Sequence, residues 1–138
     1  NPELWRKFFK PRMKLLIDSY KKLNPQVFTQ YHSDGYIEPI INDLIEVGVD
    51  ILNPIQPECM DVRKIKELYG KKLTLHGTIS VQSLLPFSSL EELKKKVREI
   101  IEICAPGGGY ILAPTHAIQA DTPLENIVAV YEIGKTFL

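Results

Sequence analysis

The chain has 138 residues, 44% of them hydrophobic, which suffices for one domain with its own core. Its 17 basic and 17 acidic side chains cancel, so it lacks the basic footprint of a nucleic-acid binder. No apolar run approaches the ~20 residues of a membrane span, the charged amino end is no signal peptide, and two cysteines make no disulfide framework, which together favour a reducing cytoplasm with neither nucleic acid nor membrane as partner.

Residues 3–23 carry Leu4, Phe8, Leu15, Leu16 and Tyr20 at roughly helical spacing. Pro11 predicts a kink or break, and the basic cluster Arg6, Lys7, Lys10, Arg12 and Lys14 reads as a solvated helix face. A short apolar strand, a loop and an amphipathic helix then recur four times. The strands are expected near 26–31, 49–53, 72–77 and 109–113. Helices are expected near 36–47, closed by Gly48; near 61–69, between an Asp61 cap and Gly70; near 89–104; and from Thr122-Pro123 onward. Ser89-Leu-Glu-Glu92 is a capping box, Glu91→Lys95 and Glu92→Lys96 support the same helix, and Thr122-Pro123-Leu-Glu125 has a second box with Pro at the first helical position. Pro106-Gly107-Gly108-Gly109 precedes a strand and reads as a turn, since phosphate-binding glycine loops follow one.

Strands alternating with helices imply an α/β fold with a parallel sheet. Strands this short and apolar predict burial on both faces. An open doubly wound sheet and half of a (β/α)8 barrel both satisfy the pattern; a whole barrel needs ~250 residues.

The three histidines, His32, His76 and His116, each follow an apolar strand run, where parallel α/β proteins place their chemistry. His32 and Asp34 are two apart, so an extended loop can aim both the same way, for a divalent metal or as an acid–base pair. Asp34 also reads as a helix cap, and each histidine as a hydrogen-bonded structural one. With His116 the two form a two-histidine, one-carboxylate set. After the second strand, Asn53, Gln56, Glu58 and Cys59 are candidates to line a pocket, Cys59 reading also as a small buried apolar residue. Gly77, after His76, is a point where backbone can approach a ligand.

Tyr31-His-Ser-Asp-Gly35, Asp50-Ile-Leu-Asn-Pro-Ile-Gln-Pro57, Gly107-Gly-Gly-Tyr-Ile-Leu112 and Asp121-Thr-Pro-Leu-Glu-Asn126 together resemble the carboxyl-terminal half of the uroporphyrinogen decarboxylase superfamily. The resemblance covers essentially the whole chain. It implies that residues 1–138 are the last four βα units of a (β/α)8 TIM barrel. A chain starting at Asn1-Pro2 without Met is then expected to be a piece of a longer enzyme, inactive alone, and completed by a missing barrel half or by homo-oligomerisation.

That superfamily includes the cofactor-free decarboxylase of haem synthesis. It also includes zinc methyltransferases that move a methyl group between a corrinoid protein and a thiol. In the methyltransferase branch a His-x-Cys after the fifth strand and a Cys after the eighth bind zinc; the matching positions here are His32, Asp34 and His116. The resemblance thus implies His32 and His116 as catalytic residues and His32, Asp34 and His116 as ligands of a divalent metal, zinc or one that takes harder N/O donors. Asn53, Gln56, Glu58 and His76 are the substrate-binding candidates. The leading expectation is a metal-assisted, corrinoid-linked methyltransferase acting on a methylated small molecule. The alternatives are a true decarboxylase, in which His116 meets a tetrapyrrole without metal, and a non-catalytic module that binds a corrinoid or a partner protein.

Overall fold

A computed structural model describes residues 1–137. Its elements are helices α1 (Pro2–Phe8) and α2 (Lys10–Leu23), strand β1 (Gln30–His32), helix α3 (Ile41–Val47), β2 (Ile51–Asn53), α4 (Val62–Tyr69), β3 (Thr74–His76), α5 (Leu84–Phe87), α6 (Leu90–Cys104), β4 (Tyr110–Ile111) and α7 (Leu124–Lys135). The four strands form one parallel sheet in the order β1-β2-β3-β4. A doubly wound sheet reverses its order at a switch point; these strands run consecutively.

The amino-terminal helix breaks at Phe9, two residues before the proline. Pro11 occupies the first turn of α2, where its missing N–H costs nothing. The basic cluster there is not simply a solvated face. Arg6 Nε and Lys10 Nζ donate to the two oxygens of buried Asp43 at 2.9 and 2.6 Å, docking both helices onto α3.

The strands are shorter than their apolar runs. β1 begins only at Gln30; just before it, the Thr29 N–H and hydroxyl both donate to Asp50, the hydroxyl also reaches Gly48 O, and the Thr29 carbonyl accepts from Asp50 N and Ile51 N. Lys21 donates to the same Asp50 at 2.8 Å. Burial alone would raise the Asp50 pKa; the hydrogen bonds from Lys21 and Thr29 outweigh it and hold the carboxyl below its usual value.

Gly48 closes α3 at φ +98°, Asp61 caps α4 through Lys64 N, and Ser89 and Glu92 form their reciprocal box on α6. Other local expectations fail for identifiable reasons. The helix from residue 36 begins as a 3-10 turn over Glu38–Ile40 with Pro39 inside it, and no side chain caps it, so Asp34 is not a cap. Glu92 is spent on the box. The α6 pairs that form are Lys94–Glu91 and Lys96–Glu99, both three residues apart. The Thr122 box does not form: α7 starts one residue later with Pro123 as its cap, and the Thr122 hydroxyl is buried without a partner among the described residues. Asn126 instead donates from its amide to Leu85 O and Ser88 O, tying α7 to the unanticipated α5.

The helices cover one face of the sheet. Tyr31, Leu52, Leu75 and Tyr110 are register partners and pack among Ile17, Ile41, Leu44 and Ile65. Tyr110 also touches a second cluster in which Leu93, Val97 and Ile101 of α6 meet Ala129, Val130 and Ile133 of α7. Leu52 and Leu75 are fully buried, each contributing about 1.5–3 kcal/mol. The opposite face departs from the expected apolar pattern. It carries Gln30, Ile51 and Thr74 in one register row and His32, Asn53, His76 and Ile111 in the next. Among the described residues no helix is long and apolar enough to cross a membrane.

Candidate functional site

His32, Asn53 and His76 are the last residues of β1, β2 and β3. Alternation along a strand sends them to the same face, away from the helices. Asp34 lies two residues past β1, and His116 lies in the connection from β4 to α7. One ligand atom from each of His32, Asp34 and His116 falls within 4.8 Å of the others. The His32 Nε2 to Asp34 Oδ2 distance is 3.4 Å, and the two imidazole rings stand 5.8 Å apart, tilted by 59°. All three side chains are exposed.

Beneath them lies a buried support. Asn53 Oδ1 is 2.6 Å from His32 Nδ1, and Asn53 Nδ2 donates to His76 O at 3.2 Å. Gly77 makes room for that amide. At φ +76°, an added Cβ would stand 2.7 Å from Asn53 Nδ2 and 2.9 Å from Pro114 O. What approaches the glycine backbone here is protein.

The other candidates take separate places. The Gln56 side chain accepts from Gly35 N at 2.8 Å and so secures the loop that carries Asp34. Glu58 accepts hydrogen bonds from Ser80 and Ser83 on the loop after β3. His76 is half-buried, its Nδ1 3.3 Å from Gln30 Oε1. Burial, and after it the neighbouring His32, lowers the His76 pKa below the ordinary histidine value. Cys59 is half-buried against the core. Cys104 is fully buried, which pushes its thiol up to about 11. Gln30, which starts β1 and reaches His76 on the same face, and Ser80 and Ser83, which hold Glu58, escaped sequence reading. Only the strand register, which sets Gln30 two residues before His32 on the same face, could have indicated one of them.

A (His)2(carboxylate) set at the carboxyl ends of parallel strands defines a class: α/β proteins whose site is built on strand-end loops. The family is defined by comparison. The model of the family "Uroporphyrinogen decarboxylase (URO-D)" matches residues 1–137, and the chain belongs to that family. It is 28% identical over 130 residues to the methylcobamide:CoM methyltransferase MtaA of Methanosarcina barkeri, covering 94% of this chain and 35% of that protein. It is 25% identical over 114 residues to a uroporphyrinogen decarboxylase of Coxiella burnetii, covering 82% of this chain and 29% of that one. The fold is similar to a solved methyltransferase from Methanosarcina mazei, with a TM-score of 0.78 and 28% identity, over 99% of this chain and 38% of that structure. The chain therefore spans about a third of the length of the curated relatives it matches.

Proposed function

We propose that this chain is the carboxyl-terminal half of a (β/α)8 barrel enzyme of the methyltransferase type, in which a divalent metal is held by His32, Asp34 and His116. The observation that carries the reading is the convergence of these three side chains at the open ends of the strands. The donor set fits a metal. Bonds of ~2.0–2.2 Å place neighbouring ligand atoms of a tetrahedral ion ~3.4 Å apart; His32 Nε2 and Asp34 Oδ2 have that separation, and the set with His116 lies within 4.8 Å and would draw in on the ion. Two imidazoles and a carboxylate suit zinc or a metal that prefers N/O donors.

When bound, the metal supplies Lewis acidity that lowers the pKa of a coordinated thiol or water. The chain's own residues do the rest. Asp34 contributes negative charge beside His32, His76 offers a neutral imidazole on the same face, and Gln56 secures the loop that carries Asp34. By analogy with the MtaA relative, whose name specifies methylcobamide and coenzyme M, the substrates are a methylated corrinoid on a partner protein and a small thiol. The remaining strands of the barrel complete the enzyme.

Titration of metal-stripped protein with Co2+ or Zn2+ tests this. One ion per chain is expected, with binding lost in His32→Ala and in His116→Ala. Correctly folded protein that binds neither ion overturns the reading. The decarboxylase relatives favour a second one, cofactor-free decarboxylation with His116 at the substrate. Carbon dioxide release from uroporphyrinogen by metal-free parent enzyme would establish it instead.

A further inference from the structure

The geometry points to Asn53 as the positioning residue that decides which nitrogen of His32 faces the site. This inference rests on the metal reading above only for its functional consequence; the hydrogen-bond argument stands without it. Asn53 is 7% exposed and its side-chain amide is engaged on both sides. Its Nδ2 lies 3.2 Å from a backbone carbonyl, His76 O, which can only accept. That fixes the amide's orientation and leaves Oδ1, an obligate acceptor, against His32 Nδ1 at 2.6 Å. A neutral imidazole satisfies an obligate acceptor only by donating, so His32 carries its proton on Nδ1. In the neutral ring Nε2 then keeps its lone pair for a metal, and Nε2 is the atom 3.4 Å from Asp34 Oδ2, another acceptor that an ion between them would satisfy.

The amide has little freedom to turn. Gly77 lies directly behind it, close enough that any Cβ would collide with Nδ2. The β1–β2 register sets His32 opposite Asn53, so the contact is built into the sheet. The chain Gly77–His76 O–Asn53–His32 is therefore a rigid support that presets the ring angle and tautomer of one ligand. Hydrogen-bonded partners of this kind orient ligating histidines and raise their basicity, and their loss typically costs about 10–100-fold in metal affinity.

Two measurements on the same preparations test it. Long-range 1H–15N correlation spectra of 15N-histidine-labelled, metal-free protein, with His32 assigned through His32→Gln, report the tautomer directly. His32 should carry a proton on Nδ1 in the wild type and in Asn53→Asp, which keeps an acceptor for Nδ1 although it loses the donor to His76 O, and should shift toward Nε2–H in Asn53→Leu, which has no acceptor. A wild-type His32 in the Nε2–H form overturns the inference whatever the variants do, as does Asn53→Leu that retains Nδ1–H. Co2+ titration gives the second readout: affinity falls about 10–100-fold in Asn53→Leu and is largely restored in Asn53→Asp. Unchanged Co2+ affinity alongside a changed tautomer removes the positioning role. Wild-type protein that shows the Nδ1–H form but binds no Co2+ upholds the support and defeats the metal reading alone.

Discussion

The two faces of the sheet differ by one residue of register. Tyr31, Leu52, Leu75 and Tyr110 point into the helices, whereas His32, Asn53, His76 and Ile111, one step along the same strands, point away. The first row obeys volume and water exclusion, with one polar exception, the Tyr110 hydroxyl 2.6 Å from Thr78 Oγ1. In the second, three of the four obey hydrogen-bond direction: Asn53 is tied to His32 and to the backbone of His76, while Ile111 is an exposed apolar residue. Apolar packing is concentrated on one side and the candidate site residues on the other. A single strand can serve both because its side chains alternate.

The contrast is sharpest in the core. Leu75→Ala should cost about 2–5 kcal/mol in urea unfolding, because Leu75 is fully buried between sheet and helices. Thr74→Ala, its neighbour on the opposite face, should change stability by no more than about 1 kcal/mol. Equal losses at both positions would break the comparison.

Next comes the helix layer. Burial alone would raise the Asp43 pKa, but the hydrogen bonds from Lys10 and Arg6 outweigh it and hold the carboxyl below its usual value. A depressed folded-state pKa means that the pair stabilises the fold fully above the ordinary carboxylate pKa of ~3.9 and that this is lost as pH falls through the lower folded value. Asp43→Asn should cost about 1–2 kcal/mol near pH 7, and the difference from wild type should shrink in acid. A difference independent of pH would show that the amide, and not the missing charge, is responsible. Ser89→Ala, which removes one half of the α6 capping box, should cost about 1 kcal/mol, read as a lower urea midpoint with an unchanged slope. The smallest effect on folding should come from His32→Ala on the open face. We expect less than about 1 kcal/mol there, together with loss of the Co2+ or Zn2+ binding proposed for that face. Global unfolding of that variant would show that the open face shares the structural role of the covered one.

Much of the architecture was legible because its signals are local. Gly48 at the end of α3, Asp61 before α4 and the Ser89–Glu92 box act within one turn of chain, and each is formed as read. The errors are equally informative. Thr122 and Glu125 spell a capping box, yet Asn126 binds α5 and the helix starts a residue late. Thr29 continues an apolar strand run, yet Asp50 captures it. In both cases a partner distant in sequence outbid the local rule.

The same division holds for the site. Three histidines after three apolar runs, with Asp34 two residues beyond His32, could be singled out from spacing, because strand ends in parallel folds converge. The sequence by itself determined the element order, most of the caps and this short set of candidates, since each depends on neighbours within a few residues. Only the tertiary structure decided that Asp34 faces His32 instead of capping a helix, that Glu58 joins Ser80 and Ser83, and that Asn53 lies beneath His32 with Gly77 behind it. Apart from the His32–Asp34 contact, which spans two residues, those relations link segments 20 or more residues apart. They follow from register and hydrogen-bond direction, which come into being only when the sheet is assembled.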